Sequence, residues 1–145
     1  MSENLDRIEK IRNLLKKKKF DGYILSTFDE YLNEYVPDYN QRLRWLTGFT
    51  GSSGLVLLID DRCLFFTDGR YLVQAKKEIS DLFEIIDSST QNIFDWLLKN
   101  VPKEKHICVD QNINSISFIQ KLEKVAKKNR ISMGFSKKIL IDNIR

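Results

Sequence analysis

The sequence predicts an α/β fold with a mixed, mainly parallel sheet, one β-hairpin and helices on both faces. Helix-like and strand-like apolar patterns alternate along the 145 residues. Two strand-like segments, 54–59 and 63–67, are separated by only three residues, which is short enough for a hairpin. The composition, 42% apolar and 30% charged, is that of a globular protein of one domain.

The first half of the chain predicts one helix, one buried strand and the hairpin. Residues 4–18 repeat apolar side chains at helical spacing, and a turn at Asp21-Gly22 precedes a strand at 23–26. Residues 28–53 break this regular pattern, apart from a short helical piece near 42–46. Asp68-Gly69 ends the second hairpin strand.

The second half alternates helices with strands. A helix is predicted over 70–79 and a strand over 83–87. Ser88 or Ser89 is expected to cap the next helix, which Pro102 would end.

The last part of the chain continues the same alternation. It predicts a strand at 106–110, a helix at 115–129 and a short strand at 131–134. Residues 137–145 carry no clear stop signal.

Composition excludes several functional classes. The net charge of +4, from 24 Lys and Arg against 20 Asp and Glu, is too mild to favour nucleic-acid binding. The longest aliphatic run has five residues, whereas a bilayer-spanning helix needs about 20. The charged N-terminus lacks the apolar stretch of a signal peptide, so we expect a cytoplasmic protein without a membrane partner. Cys63 and Cys108 are too few for a disulfide scaffold and lie in apolar strands.

Isolated reactive residues give little support for catalysis. His106 is the single histidine, and a strand-edge position is favoured over a role as metal ligand or general base. Ser52 and Ser53 lack the surroundings of a nucleophile elbow. The glycine-rich stretch 48–54 precedes a strand and matches neither the Walker loop nor GxGxxG. A tight turn is favoured there, and nucleotide binding is the competing interpretation.

The unusual feature of the sequence is a cluster of polar and aromatic residues within segments 29–35, 42–49 and 68–71. Its segments would meet at one end of the sheet if residues 26–54 form one long excursion. Arginine and aromatic side chains are enriched at interfaces, so the cluster indicates either a recognition surface or an ion-paired loop packed on its own domain. The candidate cleft-facing or interface-facing residues are Arg42, Trp45, Phe49, Asp68, Arg70 and Tyr71.

Three of these segments together resemble a known family. They are DEYLNEYVP at 29–37, RLRWLTGFTGSSG at 42–54 and FTDGRYLVQA at 66–75. In order and spacing they look like the N-terminal domain of Xaa-Pro aminopeptidases, in the group that includes prolidase and creatinase. The resemblance covers the whole chain, and the Glu-Tyr-Pro-containing segment before Arg42 is most like the long, three-domain cytosolic form. It implies a domain at 1–136 and the start of a linker to a following domain at 137–145.

The resemblance also implies where the chemistry lies. Members of this family hydrolyse the bond between an N-terminal residue and a following proline. Their C-terminal domain holds two divalent metal ions, commonly manganese, through two Asp, two Glu and one His. None of these ligands maps onto this chain, so the resemblance implies no catalytic residue, metal ligand or cofactor within it.

The resemblance assigns this domain a supporting role. It is expected to restrict access to the active site and to contact the catalytic domain of the same chain, with a homodimer as a further option. The substrate would be a peptide with proline at its second position. We hypothesise that a nearby carboxylate holds Arg70 and that its loop faces the catalytic cleft. A stand-alone binding module with the same fold and no peptidase activity is the alternative.

Overall fold

A computed structural model describes residues 2–26, 42–47, 49, 54–60, 62–79, 81–100, 104–110 and 116–136. A single 3-10 turn, Gly69–Tyr71, lies between the third strand and the third helix of this described part. The helices and strands are α1 (Ser2–Lys17), β1 (Gly22–Ser26), α2 (Arg42–Thr47), β2 (Leu55–Ile59), β3 (Arg62–Thr67), α3 (Leu72–Glu78), β4 (Glu84–Asp87), α4 (Ile93–Asn100), β5 (His106–Asp110), α5 (Ile116–Asn129) and β6 (Ser132–Ser136).

The sheet confirms the predicted mixed architecture. Its six strands, counted over the described residues, lie in the order β4-β3-β2-β1-β5-β6. The β2–β3 pairing is the predicted antiparallel hairpin, and β1 also pairs with β2 in the antiparallel sense. The other three pairings, β3–β4, β1–β5 and β5–β6, are parallel. The sheet is therefore mainly parallel, with β2 running against its neighbours.

Two apolar cores cover the two faces of the sheet, because side chains alternate between the faces along each strand. Tyr23 and Leu25 of β1 point into the first core, whereas Ile24 points into the second. The buried helical members of the first core are Ile8, Ile11, Leu15, Leu46 and Ala75. The buried helical members of the second core are Ile93, Trp96, Leu97, Leu122, Val125 and Ala126. Helices thus pack on both faces, as predicted.

Strand direction separates two ends of the sheet. The backbone N–H of Asp60, after β2, donates to the carbonyl of Asp21, before β1, at 3.1 Å. Asp68 follows β3, which runs parallel to β1, so it lies at the opposite end. Six strand residues span about 20 Å. We call these the Asp60 end and the Asp68 end.

The prediction that Ser88 or Ser89 caps α4 was wrong. The cap of α4 is Asn92, whose Oδ1 accepts a hydrogen bond from the backbone N–H of Asp95 at 3.0 Å. Ser88 instead donates its backbone N–H to the carbonyl of Thr67, and Ser89 donates to the side chain of Asp87. These bonds continue the β3–β4 pairing into a turn, so the helix starts later than expected.

The segment after β3 also differs from its prediction. The expected helix over 70–79 begins as the 3-10 turn and becomes α-helical only at Leu72. The predicted helix end at Pro102 and the linker at 137–145 lie outside the described residues. In the described ranges, no helix has the length and apolar character needed to cross a membrane.

Candidate functional site

The turn after β3 fixes an exposed arginine beside a carboxylate. Asp68 has an extended backbone and caps the 3-10 turn, its Oδ1 accepting from the backbone N–H of Arg70 at 2.9 Å. The Arg70 guanidinium donates to the same carboxylate through Nη2 at 3.0 Å and Nε at 3.3 Å. The Arg70 side chain is 77% exposed and that of Asp68 29%. Asp68 is therefore the carboxylate that was hypothesised beside Arg70.

The two charges stabilise each other electrostatically. The side-chain hydrogen bond from Arg70, helped by its backbone N–H, holds the pKa of Asp68 below its usual range. The same side-chain bond raises the pKa of Arg70. Both groups are fully charged near neutral pH, and the pair presents a guanidinium in a fixed orientation.

Replacing Arg70 with alanine should therefore raise the pKa of Asp68 towards its usual value. Because the folded pKa lies below the unfolded one, the carboxylate stabilises the fold above the unfolded pKa. That stabilisation is lost as the pH falls through the folded pKa. A ¹³C NMR titration of the Asp68 carboxyl measures the change.

The control is Arg62→Ala, which removes an exposed arginine bound to Glu84 at 3.0 Å. Arg62 starts β3 and so lies a full strand length from Asp68. The Asp68 pKa should be unchanged in this variant. An unchanged Asp68 pKa in Arg70→Ala as well would show that the ion pair is not formed in solution.

Three aromatic rings, Tyr71, Phe49 and Phe65, connect the Asp68–Arg70 pair to the core, and we call them the aromatic ladder. The ring of Phe49 contacts Phe65 of β3 at a centroid distance of 4.9 Å and Tyr71 at 5.9 Å, both edge to face. The guanidinium carbon of Arg70 lies 5.4 Å from the centroid of the Tyr71 ring. Phe49 is only 1% exposed, so it supports the surface from below and is not part of it. Edge-to-face pairs add to the stabilisation that burial gives.

Helix α1 holds α2 in place. The Arg7 guanidinium lies 4.6 Å from the centroid of the Trp45 ring and donates to the Trp45 carbonyl. Carbonyls near the end of a six-residue helix lack intrahelical partners, so this bond satisfies one of them. The backbone N–H of Phe49 donates to Thr47 Oγ1 at 3.1 Å, and both residues are buried. The backbone that leads to Phe49 is thus held by Arg7 of α1 and by the side chain of Thr47.

The structure brings together four of the six predicted residues. Phe49, Tyr71, Arg70 and Asp68 form one continuous chain of contacts, whereas Trp45 packs against α1. The sixth, Arg42, begins α2, and its side chain lies outside the described residues.

Segment 29–37 and residues 50–53, with Ser52 and Ser53, lie outside the described ranges.

Sequence reasoning missed Arg7. Arg7 meets Trp45 across 38 residues of sequence, and no local pattern marks such a pair. Thr47 lies within the predicted segment 42–54, and its bond with Phe49 is typical of a threonine at a helix end, which often bonds to a nearby backbone group.

Comparison with known proteins places this arrangement in a family. Residues 7–145 match the family model described as "Creatinase/Prolidase N-terminal domain". The chain belongs to the creatinase/prolidase N-terminal domain family. Among curated relatives, Xaa-Pro aminopeptidase 1 of Dictyostelium discoideum is 32% identical over 144 residues. The match covers 96% of this chain but only 23% of that relative, so the chain spans less than a quarter of its length.

Solved structures give the same fold for this creatinase/prolidase N-terminal domain. The X-prolyl aminopeptidase of Caenorhabditis elegans, described as a cytosolic enzyme with a di-nuclear active site, superposes with a TM-score of 0.90 at 24% identity. The match covers 97% of this chain and 25% of that one. The N-terminal domain of the cytoplasmic peptidase PepQ from Mycobacterium tuberculosis H37Rv superposes with a TM-score of 0.74 at 18% identity, covering 97% and 98%. At these identities the likeness establishes the fold.

The remaining reactive groups of this creatinase/prolidase N-terminal domain take structural positions. The His106 imidazole stacks on Phe20 at 4.5 Å and 10°, and its backbone N–H donates to Asp21. Cys63 and Cys108 are buried free thiols. The described ranges contain no group of three or more His, Cys, Asp or Glu arranged to hold a metal ion.

Proposed function

We propose that this chain is the noncatalytic N-terminal domain of a metal-dependent Xaa-Pro aminopeptidase, which removes an N-terminal residue that precedes proline. The observation that carries the proposal is the match to Xaa-Pro aminopeptidase 1, at 32% identity over nearly the whole chain but under a quarter of the relative. The catalytic machinery is therefore assigned to a following domain of the same chain. Residues 1–136 are proposed as the N-terminal domain and 137–145 as the start of the connection.

The proposed cofactor belongs to that following domain. The di-nuclear active site of the Caenorhabditis elegans relative supports two divalent metal ions in the parent enzyme, and manganese is our proposal for their identity. Bound there, the ions would activate a water for attack on the scissile carbonyl. The description of that relative as cytosolic supports a cytoplasmic location. The proposed partners are a peptide with proline at its second position, the catalytic domain and, as an option, a second copy of the chain.

The role proposed for the domain itself rests on the Asp68 end. Arg70 is exposed, its guanidinium is oriented by Asp68, and the ring beneath it is braced by Phe49. A fixed guanidinium suits carboxylate and carbonyl groups, because its donors are already arranged in one plane. We propose that this surface faces the catalytic cleft and contacts the part of a peptide beyond the scissile bond.

Replacing Arg70 with alanine in the full-length enzyme should then lower kcat/KM for long peptides by on the order of fivefold. Tripeptides should be affected less, because they do not extend as far from the scissile bond. Steady-state kinetics on a series of Xaa-Pro peptides of increasing length measures the effect. Arg62→Ala is the matched control at the other end of β3, and it should change kcat/KM neither for long peptides nor for tripeptides. Unchanged kinetics in a folded Arg70→Ala enzyme would contradict the proposed role.

The parent enzyme itself is tested by the reading frame. A frame that continues past the codon for Arg145 into a region with two Asp, two Glu and one His in the ligand pattern supports the proposal. A native stop codon at that position contradicts it and favours a stand-alone binding module.

A further inference from the structure

The geometry points to a second binding site, at the Asp60 end of the sheet, for a small organic carboxylate with an apolar body. A cavity of about 440 Å³ lies there, beside the C-terminal half of α1 and the turns that flank β1 and β2. This volume is within the range of small-molecule sites. The inference is independent of the proposed peptidase function, because the cavity is a full strand length from the Asp68 end.

The apolar part of the cavity is already formed. Leu15, Phe20 and Leu58 line it, and Leu15 and Leu58 are buried. Phe20 is held by its stack on His106. A Cβ on Gly134 would lie 2.3 Å from Phe20 Cε1, so only glycine leaves room for the ring in this position. Because Leu15 and Leu58 are almost completely buried, the partly buried ring of Phe20 is the main apolar surface that the floor of the cavity offers to a ligand.

The carboxylates of the cavity are already engaged. Asp60 accepts a hydrogen bond from Lys105 Nζ at 3.0 Å, and Asp21 Oδ2 accepts one from the backbone N–H of His106 at 2.8 Å. The bond to Asp60 raises the pKa of Lys105, which keeps this lysine charged. Lys105, the residue before β5, thus neutralises Asp60, and the backbone of His106, the first residue of β5, forms a hydrogen bond with Asp21.

The two cations that line the cavity, Arg12 and Lys16, form no ion pair within the described part of the chain. Arg12 Nη2 donates to Cys63 Sγ at 3.3 Å, and thiol sulfur is a weak acceptor. Arg12 Nε is buried without a hydrogen-bond partner among the described residues. Lys105 does not line the cavity but neutralises Asp60, so among the described lining residues Arg12 and Lys16 remain against the single carboxylate of Asp21, an excess of one positive charge. A monoanion compensates this excess, and an apolar body attached to it would cover the floor.

The test is an NMR titration of the 145-residue chain with 3-phenylpropionate. We expect saturable amide shifts confined to residues 12–21 and 58–60, with a dissociation constant in the millimolar range for so small a ligand. Lys16→Ala should weaken binding about fivefold, the size of a partly solvated charge contact. Lys17→Ala, the neighbouring exposed lysine that does not line the cavity, should leave binding unchanged. Both substitutions are at exposed positions, and unchanged spectra outside α1 confirm that the variants are folded.

Three results would overturn the inference. The first is the absence of saturable shifts in residues 12–21 and 58–60. The second is equal binding of 3-phenylpropylamine, which would show that the excess positive charge does not select the ligand. The third is equal binding of inorganic phosphate, which would show that the apolar floor contributes nothing.

Discussion

Replacing Phe49 with alanine is expected to lower the free energy of unfolding by about 3–5 kcal/mol. Phe49 is 1% exposed and lies between Phe65 of the sheet and Tyr71 of the surface turn. Its removal leaves a cavity between two parts of the chain that meet only through tertiary packing. The loss is a large fraction of the 5–15 kcal/mol that stabilises a typical domain.

Urea denaturation followed by circular dichroism measures this effect. Phe49→Leu is the matched control, because it keeps most of the apolar volume and loses only the edge-to-face pairs. We expect it to cost about 1 kcal/mol. A loss below 1 kcal/mol for Phe49→Ala would mean that the ladder is not packed in solution as described.

A methyl group at Gly22 is expected to destabilise the domain by about 1–3 kcal/mol through overpacking. A Cβ at this position would lie 2.7 Å from the backbone carbonyl oxygen of Leu58 and 3.0 Å from Ile59 Cδ1. Gly22 pairs with Ile59 on one side and Ile107 on the other, in the middle of the sheet. Because the nearest atom is backbone, relief requires a shift of the β1–β2 pairing.

Gly69→Ala is the control for Gly22→Ala. No atom lies within 4 Å of a Cβ built at Gly69, and its backbone has a conformation that alanine adopts without strain. Its stability should be unchanged or raised by up to about 1 kcal/mol, because alanine restricts the unfolded chain. Equal midpoints of urea unfolding for Gly22→Ala and the unmodified domain would contradict the described pairing of β1 with β2.

The sequence predicted those parts of the fold that depend on local pattern. The periodicity that buries Ile8, Ile11 and Leu15 defined α1, and the short Asp60-Asp61-Arg62 connection defined the hairpin. The order of the strands, with β1 at the centre, depends on contacts between distant segments. No periodic pattern encodes these contacts, so the second antiparallel pairing was not predicted.

The candidate site was predicted as a set of residue types and not as a geometry. The sequence predicted that Asp68, Arg70 and Tyr71 lie in one site because these residues are neighbours along the chain. Residue type does not show that Phe49 supports the surface from beneath, because aromatic side chains occur both in cores and at interfaces. The α4 cap illustrates the same limit, since Ser88, Ser89 and Asn92 are all good capping residues. The pairing of Ser88 with Thr67 decides among them.

Manganese-dependent release of arginine from the peptide Arg-Pro-Pro tests most directly whether the chemistry belongs to a following domain. The purified 145-residue chain with added manganese should release none. The protein that continues through the proposed catalytic domain should release arginine and lose this activity when a chelator removes the metal. Release of arginine by the 145-residue chain alone, or no release by the longer protein with manganese bound, would contradict the assignment.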